Sequence, residues 1–188
     1  MQKKEWHTAL CMLCVLMALA YGLCRFAVYQ NQPERLAAFE DRFLDLTTLG
    51  ISAGEENQLT VSERKVTLSW PDDAQAAEML TAVQPLPDGC RNLQITLGGG
   101  GSMNSWHKER WGYEAWLELR LYKGEEQIAS DCAEMPLTAS RSDRTRIYTL
   151  QAETREADGW QLCAVIRPVD GRIQHGELLL NNWEVDAR

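Results

Sequence analysis

Histidine is scarce in this chain, with three copies in 188 residues, and of these only His107 and His175 lie beyond the first apolar run. A triad of Ser102 or Ser105, His107 and an aspartate can be drawn, but no nucleophile elbow or other local signature surrounds it. The stretch His107-Lys108-Glu109 lacks the His-Glu-x-x-His spacing that places two ligands on one helical face. Close cysteine pairs are also lacking. Cys11 and Cys14 sit inside an apolar run, and Cys90, Cys132 and Cys163 stand far apart, so no paired zinc knuckle can form. Three downstream cysteines permit one disulfide in an oxidising compartment, but spacing does not choose the pair, and buried free thiols are the simpler expectation. These absences predict no catalytic residue, no metal and no cofactor.

Long basic runs are missing too. Residues 30–188 hold 16 of the 19 Lys and Arg but 26 of the 27 Asp and Glu, a formal charge of −10. Phosphate backbones and anionic lipid surfaces require a basic stripe, so no nucleic-acid partner is expected. The glycine run Gly98–Gly101 is not followed by the Lys-Ser or Lys-Thr pair of a P-loop, and it reads as a flexible loop. Internal repeats, a myristoylation start, a prenylation box and a lipoprotein cleavage context are likewise lacking.

What the chain does have begins with an uncharged apolar run from Thr8 to Cys24, which continues past Arg25 through Phe26, Ala27, Val28 and Tyr29. As a helix, that length approaches the roughly 30 Å hydrocarbon core of a bilayer. The expectation is a single-pass signal-anchor at residues 8–29, with the C-terminal domain extracytoplasmic. The alternative is a secreted or periplasmic protein after cleavage following Ala20, because Lys3 and Lys4 precede the run and Ala18-Leu19-Ala20 forms an A-x-A site. Either fate exports the rest of the chain.

Residues 30–50 read as an amphipathic juxtamembrane helix. Pro33 opens it, Gly50 stops it, and Leu36, Phe39, Phe43 and Leu46 recur at spacings of three and four. That stripe suits packing on the domain's own sheet or contact with a partner's helix.

Residues 51–188 alternate like strands. Val61 to Trp70 reads as one strand, and Leu93, Ile95 and Leu97 mark another. Pro71, Asp72 and Asp73 read as a helix start followed by an Ala76, Met79, Leu80 and Val83 stripe. A hairpin turns at Lys123-Gly124, with Ala115, Leu117, Leu119 and Leu121 inward and Glu114, Trp116, Glu118, Arg120 and Tyr122 outward. Further strands are expected at Thr145 to Glu153, at Trp160 to Arg167, whose continuous apolar character marks a central strand, and at Ile173 to Val185.

The fold class expected is α+β, mainly β. One N-terminal membrane helix and an amphipathic helix precede a largely antiparallel β-sandwich, or a single sheet backed by helices. Residues 1–29, 30–50 and 51–188 form the three regions.

Tryptophan is the unusual constituent. Trp106, Trp111 and Trp116 fall within eleven residues, among His107, Lys108, Glu109 and Arg110. Aromatic rings beside charged hydrogen-bonding groups anchor protein interfaces or stack on sugars. Trp106, His107, Arg110, Trp111, Trp116, Arg120 and Tyr122 are the candidate binding surface, and Leu36, Phe39, Phe43 and Leu46 the candidate partner-helix contact. The leading expectation is a noncatalytic, membrane-tethered domain that binds a protein partner in a cell-envelope assembly. The alternatives are a glycan-binding β-sandwich using the Trp cluster and, by order of elements alone, a pilin-like subunit, although the Gly-x-x-x-x-Glu processing box is absent. Amino-terminal sequencing of the mature protein tests the first step: the anchor predicts retention of Thr8 to Cys24, and a start at Tyr21 would eliminate it.

Overall fold

The structure, a computed structural model, describes Met12, Met17, Leu19, Tyr21 and residues 42–103, 113–138, 145–169, 171 and 173–188. It divides into two units, Met1–Arg42 and Phe43–Arg188. In the first, the described positions Met12, Met17, Leu19 and Tyr21 are helical. Among the described residues no helix is long and apolar enough to cross a membrane; most of the run at 8–29 and most of the helix expected at 30–50 lie outside them.

The second unit is a pair of antiparallel sheets. Its strands are β1 (Ser52–Ala53), β2 (Gln58–Ser62), β3 (Lys65–Trp70), β4 (Ala77–Leu80), β5 (Gln84–Pro85), β6 (Asn92–Met103), β7 (Tyr113–Lys123), β8 (Glu126–Glu134), β9 (Arg146–Glu153), β10 (Gly159–Pro168) and β11 (Gly176–Ala187). One sheet has the order β1-β4-β10-β7-β8, with β5 also beside β10. The other runs β2-β3-β11-β6-β9. The core lies between them and follows the period-two pattern. Val66, Leu68 and Trp70 of β3, Leu93, Ile95 and Leu97 of β6, Leu117, Leu119 and Leu121 of β7, and Leu162, Ala164 and Ile166 of β10 are all buried in one cluster. The β-sandwich is as expected, and so are the β7–β8 hairpin and the central place of β10; in β9 it is Tyr148 and Leu150 that are buried.

Several local expectations need correction. The helix expected after Pro71 is instead the strand β4, paired with β10 and β1. Ala77 and Met79 are buried while Glu78 and Leu80 are half-buried, so a helix-favouring composition also satisfied a two-residue period, and two neighbouring strands decided between them. Asp72 caps no helix; its carboxylate accepts from the His175 backbone N–H at 2.9 Å. Among the described residues, no helix backs either sheet. The Phe43 to Gly50 part of the expected amphipathic helix contains only a 3-10 turn, Leu46–Thr48, closed by the Asp45 carboxylate accepting from Thr47 N–H at 3.0 Å. Val61 to Trp70 is two strands of a hairpin, not one, because Glu63 and Arg64 turn between Ser62 and Lys65.

The glycine run is the interior of β6, not a loop. A Cβ on Gly99 would lie 2.9 Å from Leu180 Cδ2 and 3.1 Å from the Tyr148 ring, and one on Gly101 would lie 2.6 Å from Leu137 Cδ2. Missing side chains here let neighbouring core groups close over the strand. In β11 the register shifts between Asn181 and Glu184, with Asn182 at φ 52°, and Trp183 is fully buried.

At one open side of the sandwich, β8 and β9 are the edges of opposite sheets. Asp131 lies opposite the core residue Leu119 and reaches across so that its Oδ2 accepts from Gln151 N–H at 2.8 Å. An inward charge on an edge strand discourages pairing with another chain, and here it also satisfies an edge amide. Asp131→Ala is expected to lose about 1 kcal/mol of stability and to aggregate more readily on heating, as read by urea unfolding and light scattering. Gly176→Ala is expected to lose about 1–3 kcal/mol, because its Cβ would sit 2.5 Å from Ser102 O and against the Trp70 ring.

Candidate functional site

The outward face of the β10-centred sheet is built by register. Residues opposite one another in antiparallel strands share a face, so Glu134, Trp116, Val165 and Glu78 form one row across β8, β7, β10 and β4. Cys132, Glu118, Cys163 and Leu80 form the next, and Arg120 and Gln161 the third. Tyr122 lies beside Gly159, and Glu114 beside Arg167 at the other end.

This face is polar yet well covered. Gln161, Cys163 and Val165 point outward from β10 but are 9%, 1% and 4% exposed. Arg120 donates from Nη2 and Nε to Glu118 Oε2 at 2.6 and 2.9 Å. The pair is largely covered, its side chains 27% and 14% exposed. The hydrogen bonds to Glu118 hold the guanidinium even more firmly protonated than usual. Arg167 donates to Glu78 Oε1 at 2.7 Å, and its guanidinium sits 5.7 Å from the Trp116 ring centroid. Tyr122 donates to Gln161 Oε1 at 3.0 Å, Gln161 donates from Nε2 to Thr81 O at 2.6 Å, and the Thr81 hydroxyl accepts from Leu162 N–H at 3.1 Å. Each polar side chain between the two rings is therefore fixed before any ligand arrives.

Of the candidate binding residues, the structure brings Trp116, Arg120 and Tyr122 onto this face; Trp106, His107, Arg110 and Trp111 lie outside the described residues. Of the candidate partner-helix residues, Leu36 and Phe39 also lie outside them. Phe43 bridges Glu184 under the Arg64 guanidinium, 5.9 Å from the ring centroid, and Leu46 is fully buried in this unit's own core. Sequence reading missed Glu78, Gln161, Cys163, Val165 and Arg167. The signal for the last four was the alternation of Trp160, Leu162, Ala164 and Ile166, which leaves the intervening residues on the opposite face. Glu78 was hidden by its assignment to a helix.

The three described cysteines are free: Cys90 half-buried, Cys132 exposed and Cys163 buried. Cys132 and Cys163 flank Glu118 in one row, two strand spacings apart, which is beyond disulfide reach. Among the described residues, no group of three or more His, Cys, Asp or Glu is arranged to hold a metal. A second concavity, a cleft of about 690 Å³, opens between the β5–β6 and β9–β10 loops and is lined by Asp88, Cys90, Arg91, Thr154, Arg155 and Asp158 among others. Its charges are mixed, and Asp158 is already committed to Gly124 N–H at 2.8 Å.

No protein-family model matches the chain, and no curated protein sequence matches it. Solved structures do give matches, at low identity. The enzymatically active domain of tailspike protein 4 from bacteriophage CBA120 is 14% identical over 73% of this chain, with a TM-score of 0.48, and this chain spans 18% of that one. A xylan-binding domain of Paenibacillus barcinonensis Xyn10C is 8% identical over 74% of this chain and 86% of its own, with a TM-score of 0.46. The N-terminal cellulose-binding domain of Cellulomonas fimi β-1,4-glucanase C is 14% identical over 74% and 89%, with a TM-score of 0.44. The likeness is one of general fold.

Burial pushes the Cys163 thiol up to about 11 from 9.0. A thiol that is a weaker acid in the folded chain stabilises fully below the unfolded value, and that contribution is lost as pH climbs through the folded one. Stability is therefore expected to fall between about pH 9 and 11, and Cys163→Ala to fall less over the same window, as measured by urea unfolding at pH 8 and pH 10.5.

Proposed function

We propose that the Phe43–Arg188 unit is a noncatalytic glycan-binding β-sandwich, displayed outside the cytoplasm by the apolar run at residues 8–29, and that a sugar chain lies along β7. One observation carries this reading. Trp116, Glu118, Arg120 and Tyr122 stand on one face of a single strand with their polar groups held in place, the two rings about 20 Å apart at about 3.4 Å per residue. A ring takes up the C–H face of a sugar, and fixed donors and acceptors between the rings take up its hydroxyls. The interval is long enough for several sugar rings end to end.

A protein partner fits this face less well. The centres of protein interfaces are depleted in charge, whereas here an ion pair occupies the middle. Leu46, one of the residues expected to contact a partner helix, is in the core. The pilin-like alternative relies on helices ahead of the sheet, most of which lie outside the described residues.

Tryptophan fluorescence and calorimetry of the full chain against a panel of cell-wall and capsular polysaccharides test the reading. Binding to at least one is expected. Removal of the ring in Trp116→Ala gives up roughly 60–80 Å² of stacked apolar area at about 25 cal/mol/Å², which weakens it about ten-fold or more, while Trp116→Phe retains most of it. Affinity that is unchanged by Trp116→Ala would move the site elsewhere.

A further inference from the structure

Resting on the glycan reading, we infer that the ligand is a neutral chain rich in adjacent hydroxyl pairs, and that the face selects against acidic polysaccharides. The outward face carries four carboxylates, Glu78, Glu114, Glu118 and Glu134, against two guanidinium groups, Arg120 and Arg167. Both cations are already taken. Arg120 puts two N–H groups on Glu118, and Arg167 puts two on Glu78, with contacts of 2.6 and 2.7 Å. Among the described residues, Glu114 and Glu134 make no ion pair, although Glu114 lies opposite Arg167 in the register.

A uronate or sulfate arriving here meets no free positive charge. To gain one it must displace Glu118 from a largely covered pair or Glu78 from a more exposed one, leaving that carboxylate unpaired next to the newcomer. The two uncommitted glutamates and the −10 balance of residues 30–188 add repulsion over the approach. Neutral sugars face no such barrier. Each pair engages one carboxylate oxygen only, Oε2 of Glu118 and Oε1 of Glu78. The other oxygen is left as an acceptor, and the guanidinium keeps N–H groups that the carboxylate does not take. An acceptor and a donor side by side, fixed in orientation, match two neighbouring hydroxyls of one sugar ring. Trp116 stands in the row next to the Glu118 pair and directly under Arg167, so the ring and both such pairs address the same stretch of chain.

Matched polymers that differ in charge alone test this with the full chain: hydroxyethyl cellulose against carboxymethyl cellulose, and dextran against dextran sulfate, at 20 mM and 300 mM salt. The expected result is Trp116-dependent binding to a neutral member that is insensitive to salt, with its charged counterpart at least three-fold weaker at low salt and the gap closing at high salt. Glu118→Gln, which frees Arg120, is expected to narrow or reverse that preference. Trp116-dependent binding that is tighter for the charged member at low salt would overturn the selectivity and leave the glycan reading standing. Binding to neither kind, extended to the wider polysaccharide panel, would overturn the glycan reading and this inference with it.

Discussion

Strand β10 has to be covered on both faces, and much of the molecule follows from that constraint. Its inward residues, Trp160, Leu162, Ala164 and Ile166, meet the core, while its outward ones, Gln161, Cys163 and Val165, are nearly as inaccessible without a second layer of secondary structure among the described residues to hide them. Long side chains of the same sheet do the covering. Arg167 leans over Trp116, Tyr122 reaches Gln161, and Arg120 folds back on Glu118. Such cover is possible only if the polar groups involved bond to one another, since a buried polar atom left unpaired costs more than a made hydrogen bond returns. The closed network that makes β10 stable is the same network that leaves the face preorganised.

That constraint also explains where sequence reading succeeds. An amino-acid pattern records burial, and burial alternates along a strand. The inward Leu117, Leu119 and Leu121 and the outward Trp116, Arg120 and Tyr122 could be sorted from β7 alone, and the continuous apolar character of β10 announced a strand buried on both sides. Pairing is not recorded in the same way. Ala77 to Leu80 has the composition of a helix and becomes a strand because β10 and β1 offer hydrogen-bonding edges to it. The four glycines of β6 look like a hinge in isolation, and their reason for being small, the approach of Leu180, Tyr148 and Leu137, comes from residues 36 to 81 positions away.

The candidate site shows the same division. Three of its residues were legible because they belong to one strand with one alternation. Glu78 and Arg167 were not, because their role depends on a cross-strand contact between positions 89 residues apart. Leu46, for which packing on the domain's own sheet and contact with a partner helix were both open, shows a further limit. Spacings of three and four suggested a stripe continuing from Leu36, yet a single Asp45-capped turn is enough to drop that leucine into the core. Periodicity identifies which residues are apolar partners but not whether the partner is the same domain or another molecule.

A surface whose ion pairs are internal has a particular consequence for recognition. Free charges attract ligands from a distance and bind them strongly but with little discrimination, whereas charges that neutralise each other contribute direction without long-range pull. On this face the paired carboxylates and guanidinium groups stay where their partners hold them, so a ligand would meet oriented dipoles at short range. Ordering entropy has already been lost in folding, and each hydrogen bond to a hydroxyl then contributes to affinity without first immobilising a flexible side chain. On the glycan reading proposed above, affinity would grow with the number of sugar units in register with the strand, so that the extended row from Trp116 to Tyr122, more than any one residue in it, would define what the face holds.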